Sequence, residues 1–172
     1  RQPMFFVGSA PLDADGHVNV SPKGGDSFRV CSPTEVAYLD LTGSGAETIA
    51  HTRENGRLTV MFCSFDAKPL ILRLYGQGSC VRPGEPGWDE LAARFPDPPP
   101  GVRSIMRLAV ERVATSCGYA VPRMDLVAPR GMLDDWSERK GEDALVTYRA
   151  EKNRASIDGL PALDVETAAA TP

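Results

Sequence analysis

Short apolar runs separated by turn residues, several with period-two alternation, dominate the first two thirds of the chain. Met4 to Ala10 (MFFVGSA) reads as a buried strand. The Pro11–Gly16 stretch (PLDADG) ends in Asp-Gly, a strong hairpin signal between two apolar runs. His17 to Ser21 (HVNVS) alternates, with Val18 and Val20 on one face and Asn19 and Ser21 on the other. Pro22 to Asp26 (PKGGD) is expected to break that strand. Glu35 to Leu41 (EVAYLDL) is the next strand, and Glu47 to Glu54 a short helix stopped by Asn55-Gly56. Two long strands follow, Arg57 to Phe65 and Leu70 to Val81, joined by the hairpin Asp66 to Pro69 (DAKP).

The period changes in the second half. Trp88, Leu91, Ala92 and Phe95 recur at i, i+3, i+4 and i+7, the spacing of an amphipathic helix. The proline-rich stretch Pro96–Gly101 (PDPPPG) is a stiff connector. Ser104 to Thr115 (SIMRLAVERVAT) fits helix or strand, and its alternation favours a strand. Met132 to Ala150 is a polar helix, or a helix pair broken at Gly141, and Val165 to Pro172 a frayed tail. Six strands, mostly hairpin-linked, predict a mainly β protein with helical additions, arranged as a small antiparallel barrel. Residues 1–125 form the barrel, residues 126–163 a helical extension and residues 164–172 a flexible tail on this reading.

With 172 residues the chain suits one ordinary domain. Its formal net charge of −4 offers no basic footprint for nucleic acid. No apolar run approaches the ~20 residues of a membrane helix, and no signal peptide is visible. Arg1 rather than Met stands first, so preceding residues are expected, and the cytoplasm is the expected compartment. Cys31, Cys63, Cys80 and Cys117 have wide, irregular spacings, and the histidines are His17 and His51. Free buried thiols are expected, without a metal site.

Four strings carry candidate chemistry. The first is TGSGAET, Thr42 to Thr48, between a strand and a helix. It lacks the GK[ST] ending of a triphosphate loop and the GxGxxG dinucleotide fingerprint. It is either a phosphate cradle at a helix N-terminus or a turn in which Thr42 or Ser44 caps the following N–H groups. The second is VNVSPK, where Asn19, Ser21 and Lys23 share an edge; they could match a planar heterocycle or form a solvated strand face. The third is Arg73 within the apolar run LILRLY. Buried, it needs an anionic partner; at an edge, it snorkels to water. The fourth is TSCGYAVP, Thr115 to Pro122. Ser116, Gly118 and Tyr119 could wall a flat ligand, while Cys117 reads as a packed thiol.

The order VNVSPKG, AYLDLTGSGAETIAHTRENGRLTVMFCSF, LRLYGQG and TSCGYAVP, spanning Met4 to Pro122, resembles the bacterial branch of the pyridoxamine 5′-phosphate oxidase-like proteins. YRAEKNRASIDGLPAL resembles an extension of that branch. The resemblance implies an FMN-binding split β-barrel, here six-stranded and antiparallel, and a homodimer with two FMN molecules at its interface. It implies that Val18, Asn19, Val20, Ser21 and Lys23 form a first flavin-contacting strand and Tyr38, Leu39 and Asp40 a second. The segment containing Gly43, Ser44 and Thr48 would receive the phosphate. Here the chain departs from the oxidase proper: Glu47-Thr48 stands where that enzyme has an Arg-Lys pair. Phosphate binding is left to Ser44, Thr48, backbone N–H groups and Lys23 or Arg73. The oxidase's C-terminal signature for pyridoxal phosphate has no counterpart, so pyridoxamine phosphate oxidation is not expected. The function implied is an FMN-dependent oxidoreductase acting on a small molecule, with NAD(P)H as a candidate donor. A non-catalytic flavin carrier or sensor, or an F420-dependent reductase on the same fold, are the alternatives. Lys23 first and Arg73 second are the candidates to stabilise the reduced flavin.

Overall fold

The computed structural model describes residues 2–164. The tail expected at residues 164–172 falls, except for Asp164, outside the described residues. Seven strands form one antiparallel sheet: β1 Met4–Ser9, β2 Asn19–Gly24, β3 Phe28–Ser32, β4 Glu35–Leu41, β5 Arg57–Cys63, β6 Ile71–Val81 and β7 Val102–Ser116. Their order across the sheet is β2-β1-β5-β6-β7-β4-β3. Three helices complete the chain: α1 Glu47–Asn55, α2 Trp88–Ala92 and α3 Met132–Lys152.

The count of seven corrects the expectation of six. The added strand is β3 (FRVCS), a short edge strand whose residues are only partly buried, so its sequence shows no clean alternation. Pro22 was also expected to end its strand, yet β2 continues to Gly24. Proline cannot donate a ladder hydrogen bond, and an edge strand tolerates that loss. The strand also begins at Asn19 rather than His17. The ambiguous run near Ser104 is β7, the longest strand, as its alternation favoured.

The sheet curls into a half-barrel, an arrangement consistent with a split β-barrel. Phe5 of β1 lies 5.2 Å from Phe28 of β3 and 5.5 Å from Tyr38 of β4, although the two ends of the sheet are far apart in strand order. Phe62 of β5 closes the aromatic cluster, 5.0 Å from Phe28. Val7, Leu58, Val60, Leu74 and Leu108 fill the concave side, and Ile49 and Ala50 of α1 join them. Fully burying such side chains is worth about 1.5–3 kcal/mol each. On the other face Leu91 and Phe95, from and just beyond α2, cover Leu39 and Ile105.

Two glycines are set by geometry. Gly56 ends α1 with φ 72°, the left-handed stop that Asn55-Gly56 predicted. At Gly76 the β6–β7 register shifts, and a Cβ would overlap the carbonyl oxygen of Ala109. The helix break expected at Gly141 is present, with φ 70° and ψ 163°. There α3 folds back on itself, bringing Trp136 within 5.2 Å of Tyr148.

Candidate functional site

Tyr38 and Asp40 alternate with Leu39 along β4, so their side chains share one face. Leu39 points to the other face, into the cluster under α2, and offers a ligand only its backbone. On β2, Asn19, Ser21 and Lys23 turn toward the protein while Val20 is exposed on the opposite face; Val18, just before the strand, is exposed as well. The curl of the sheet carries Lys23 to Asp40, with Nζ 3.3 Å from Oδ1. Lys23 also stands 5.9 Å over the Tyr38 ring.

Asp40 anchors a dense polar cluster. Arg103 donates from Nε to Asp40 Oδ2 at 2.7 Å, and Ser104 donates to the same oxygen at 3.2 Å. Burial alone would raise the Asp40 carboxyl; Arg103 and Lys23 outweigh it and hold the group below its ordinary value. Tyr38 behaves oppositely. Burial and the Asp40 charge push its phenol well above the ordinary value, so it remains a neutral donor. Its hydroxyl approaches Thr48 without closing a hydrogen bond and is buried without a partner. Such a group costs free energy unless something else accepts from it.

The Thr42–Thr48 loop leaves β4 and enters α1. Neither reading made of its glycines needs left-handed backbone, because Gly43 and Gly45 both have ordinary φ. What Gly43 provides is room: a Cβ there would meet nothing within 4 Å. The hydroxyl-capped turn does not form, since Ala46 stands at the cap position before α1 and no side chain caps the helix. Thr42 instead donates to Gly101 O at 2.8 Å. Among the described residues, no N–H from Gly43 to Ile49 finds an acceptor. Ser44 is exposed, and Thr48 accepts from Asn19 Nδ2 at 3.0 Å.

A second network runs behind this surface. Asn19 lies 3.4 Å from Ser9 Oγ, and Ser9 pairs with His51 Nδ1 at 3.0 Å. His51 is fully buried, and burial holds its imidazole below the ordinary value. The loop is braced from the C-terminal side as well. Arg149 Nε donates to Thr42 Oγ1 at 2.8 Å, and Asn153 Nδ2 donates to Gly43 O at 2.8 Å.

Not every expected residue joins the cluster. Arg73 donates to Ser116 Oγ at 3.1 Å, far from the loop. It faces Ala114 on β7, eleven residues from Arg103. At about 3.3 Å per residue that is about 36 Å along the strand. Tyr119 is 82% exposed beyond the same end. Cys117 is exposed there too, contrary to the packed thiol expected, because β7 outruns the core. Arg103, Arg149 and Asn153 are the residues that sequence reasoning passed over. Arg103 was open to the argument applied to Arg73: it is a charge beside the apolar run Ile105-Met106, and it is the one that is buried.

Among the described residues no helix is long and apolar enough to cross a membrane, and no group of three or more His, Cys, Asp or Glu could hold a metal ion. No protein-family model matches the sequence. Two crystal structures of HupZ from Group A Streptococcus share the fold, each with a TM-score of 0.54. One is 20% identical, with 66% of this chain and 90% of its own covered; the other is 19% identical, with 67% and 86% covered. A much nearer likeness is to a protein of Aspergillus flavus described as the pyridoxamine 5′-phosphate oxidase family protein ustO. The two are 44% identical over 181 residues, covering 95% of this chain and 72% of that protein. Identity of that extent, on the barrel described above, places the chain in the pyridoxamine 5′-phosphate oxidase family.

Proposed function

We propose that this chain binds FMN at a homodimer interface and serves as an oxidoreductase for a small-molecule substrate. One observation carries the reading: among the described residues the N–H groups from Gly43 to Ile49 have no acceptor, and they border open space at Gly43. A helix N-terminus with free donors suits a phosphate dianion. The unpartnered Tyr38 hydroxyl and the Asn19-Thr48 pair lie beside it, with polar edges for a ring system. Asp40 carries one negative charge between Lys23 and Arg103, so the local balance favours an anion. Membership of the family supports the same cofactor class.

Bound flavin supplies a hydride acceptor and donor, and the protein orients it. Lys23 is a cation with room to face a ligand, since Arg103 is buried and its nitrogens are turned to Asp40 and Gly45. Tyr38 stays protonated and can donate one hydrogen bond. Asp40 is ionised, and Cys80, opposite Met106 on β7, is pushed up to about 11 by burial, so neither is poised to exchange a proton at neutral pH. The substrate or solvent would therefore handle the proton.

The homodimer is supported by a partly exposed apolar row on the outer face of the sheet. Pro22, Phe6 and Met61 line up across β2, β1 and β5, outside the barrel and opposite α1. Arg73, Ser116 and Tyr119 can meet the loop region only from a second copy.

The visible spectrum of the purified protein tests the cofactor, with FMN and riboflavin titrations alongside. A flavin spectrum and tighter binding of FMN than of riboflavin are expected. A deazaflavin spectrum, or no binding of either flavin, overturns the reading. Stopped-flow mixing with NAD(P)H then separates turnover from storage. Light scattering should give twice the monomer mass, and a monomer would remove the interfacial site.

A further inference from the structure

Resting on the reading just given, we propose that Arg103 is a positioning residue for the phosphate. It does not touch the anion but holds two carbonyl groups of the loop away from it. The β4–β7 register shifts beside Asp40: Asp40 pairs with Ser104 and Leu41 with Val102, leaving Arg103 as the extra residue. A bulge of this kind re-aims a side chain. Here both Arg103 and Ser104 reach Asp40 Oδ2. The guanidinium continues into the loop, with Nη2 2.8 Å from Gly45 O and Nη1 3.4 Å from Gly43 O. Its side chain is 5% exposed.

The peptide plane converts those contacts into ligand geometry. In a trans peptide the C=O of one residue and the N–H of the next point in opposite directions. The described peptide bonds are all trans. Turning the Gly43 and Gly45 carbonyls toward Arg103 therefore turns the Ser44 and Ala46 N–H groups away from it. Neither N–H has an acceptor among the described residues. Asn153 pulls on the Gly43 carbonyl as well, at 2.8 Å. These two donors extend the free N-terminus of α1 into a longer row. The chain thus compensates for the absent Arg-Lys pair with oriented amides, and Arg103 supplies the orientation.

Lysine could not do the same. One ammonium on a flexible stem cannot hold a carboxylate and two carbonyls in a fixed plane, whereas the guanidinium fork can. Arg103→Lys keeps the charge beside Asp40 and loses the fork.

The test compares FMN and riboflavin affinities of the parent protein and Arg103→Lys, with circular dichroism and melting to check the fold. Arg103→Lys should weaken FMN about tenfold or more and riboflavin less than about threefold. An unchanged FMN-to-riboflavin ratio overturns the proposal. A second measurement needs no variant. On adding FMN to the parent, amide resonances of Ser44 and Ala46 should shift strongly while the Arg103 Nε–H resonance stays in place. A large Arg103 Nε–H shift without shifts at Ser44 and Ala46 makes Arg103 a direct ligand or the loop a bystander, and overturns it. If the amides of Gly43 to Ile49 respond to FMN yet Arg103→Lys keeps the ratio, this inference fails alone. If FMN leaves all of them unmoved, the proposed phosphate site fails with it.

Discussion

The two ends of β7 are built on opposite principles. At its start Arg103 and Ser104 are buried and bonded to Asp40, and the residues around them serve several partners each. At its far end Arg73 has one hydrogen bond, to Ser116, and Tyr119 lies open beyond it. The first end is finished within one chain. The second consists of polar and aromatic groups with almost nothing to hold them. Preorganisation is therefore confined to the end where N–H groups without an acceptor among the described residues collect. The other end is the kind of surface that a second copy of the chain would complete.

The sharpest way to break this contrast is to remove Asp40. Asp40→Ala leaves the buried Arg103 without its counter-ion, and breaking a buried pair in this way costs about 3–5 kcal/mol. Urea unfolding would measure it. A loss under about 1 kcal/mol would falsify the view that the loop end depends on that ion pair.

Asn153→Ala probes the same end from the C-terminal extension. It removes the 2.8 Å hydrogen bond to Gly43 O and leaves that carbonyl with only the long contact to Arg103. A loss of about 1–3 kcal/mol is expected from thermal melts. FMN should weaken more than riboflavin, because Gly43 belongs to the loop proposed to receive the phosphate. Equal weakening of both would mean that the extension supports the fold without shaping the site.

Much of this contrast was legible beforehand, and its gaps have physical causes. Val20 versus Asn19 and Ser21 follows from period-two alternation, and Lys23 falls beside the same edge, so the inward edge of β2 was readable although Pro22 was taken as its end. Gly56 as the stop of α1 and Gly141 as the break in α3 follow from backbone chemistry. β3 was not readable, because a half-exposed edge strand carries no clean pattern. Arg103 was missed because a bulge decides where its side chain points, and bulges are set by sheet register rather than by local sequence. Arg149 and Asn153 reach the loop across more than a hundred residues of chain. No local pattern encodes such a contact.

A smaller effect is expected from pH. Burial holds the His51 imidazole below its ordinary value of 6.5, although the charges of Asp158, Glu47 and Glu54 oppose the shift. The unfolded chain therefore takes up the proton first as pH falls. Stability is lost between pH 6.5 and the lowered folded value, at up to about 1.4 kcal/mol per unit of separation. Asp40 adds nothing in that window, since its depressed value places its contribution above the ordinary 3.8 and its loss below it. Melting temperatures of the parent should drop from about pH 7 to about pH 5, and those of His51→Gln should drop less. Parallel curves would remove His51 from the account.

The smallest effect on stability is expected at the far end. Arg73 is half-buried, with one hydrogen bond to Ser116, so Arg73→Ala should change stability by no more than about 0.5 kcal/mol. Its flavin affinity is the informative readout. If a second copy brings Arg73 to the cofactor, the variant should keep its melting temperature without ligand and lose about tenfold or more in FMN binding. Ser116→Ala sharpens the result, because it frees the guanidinium without removing it. That variant should bind FMN as well as the parent or better. Should Arg73→Ala melt several degrees lower without ligand and bind FMN normally, the far end is structural after all, and its openness has nothing to do with the cofactor.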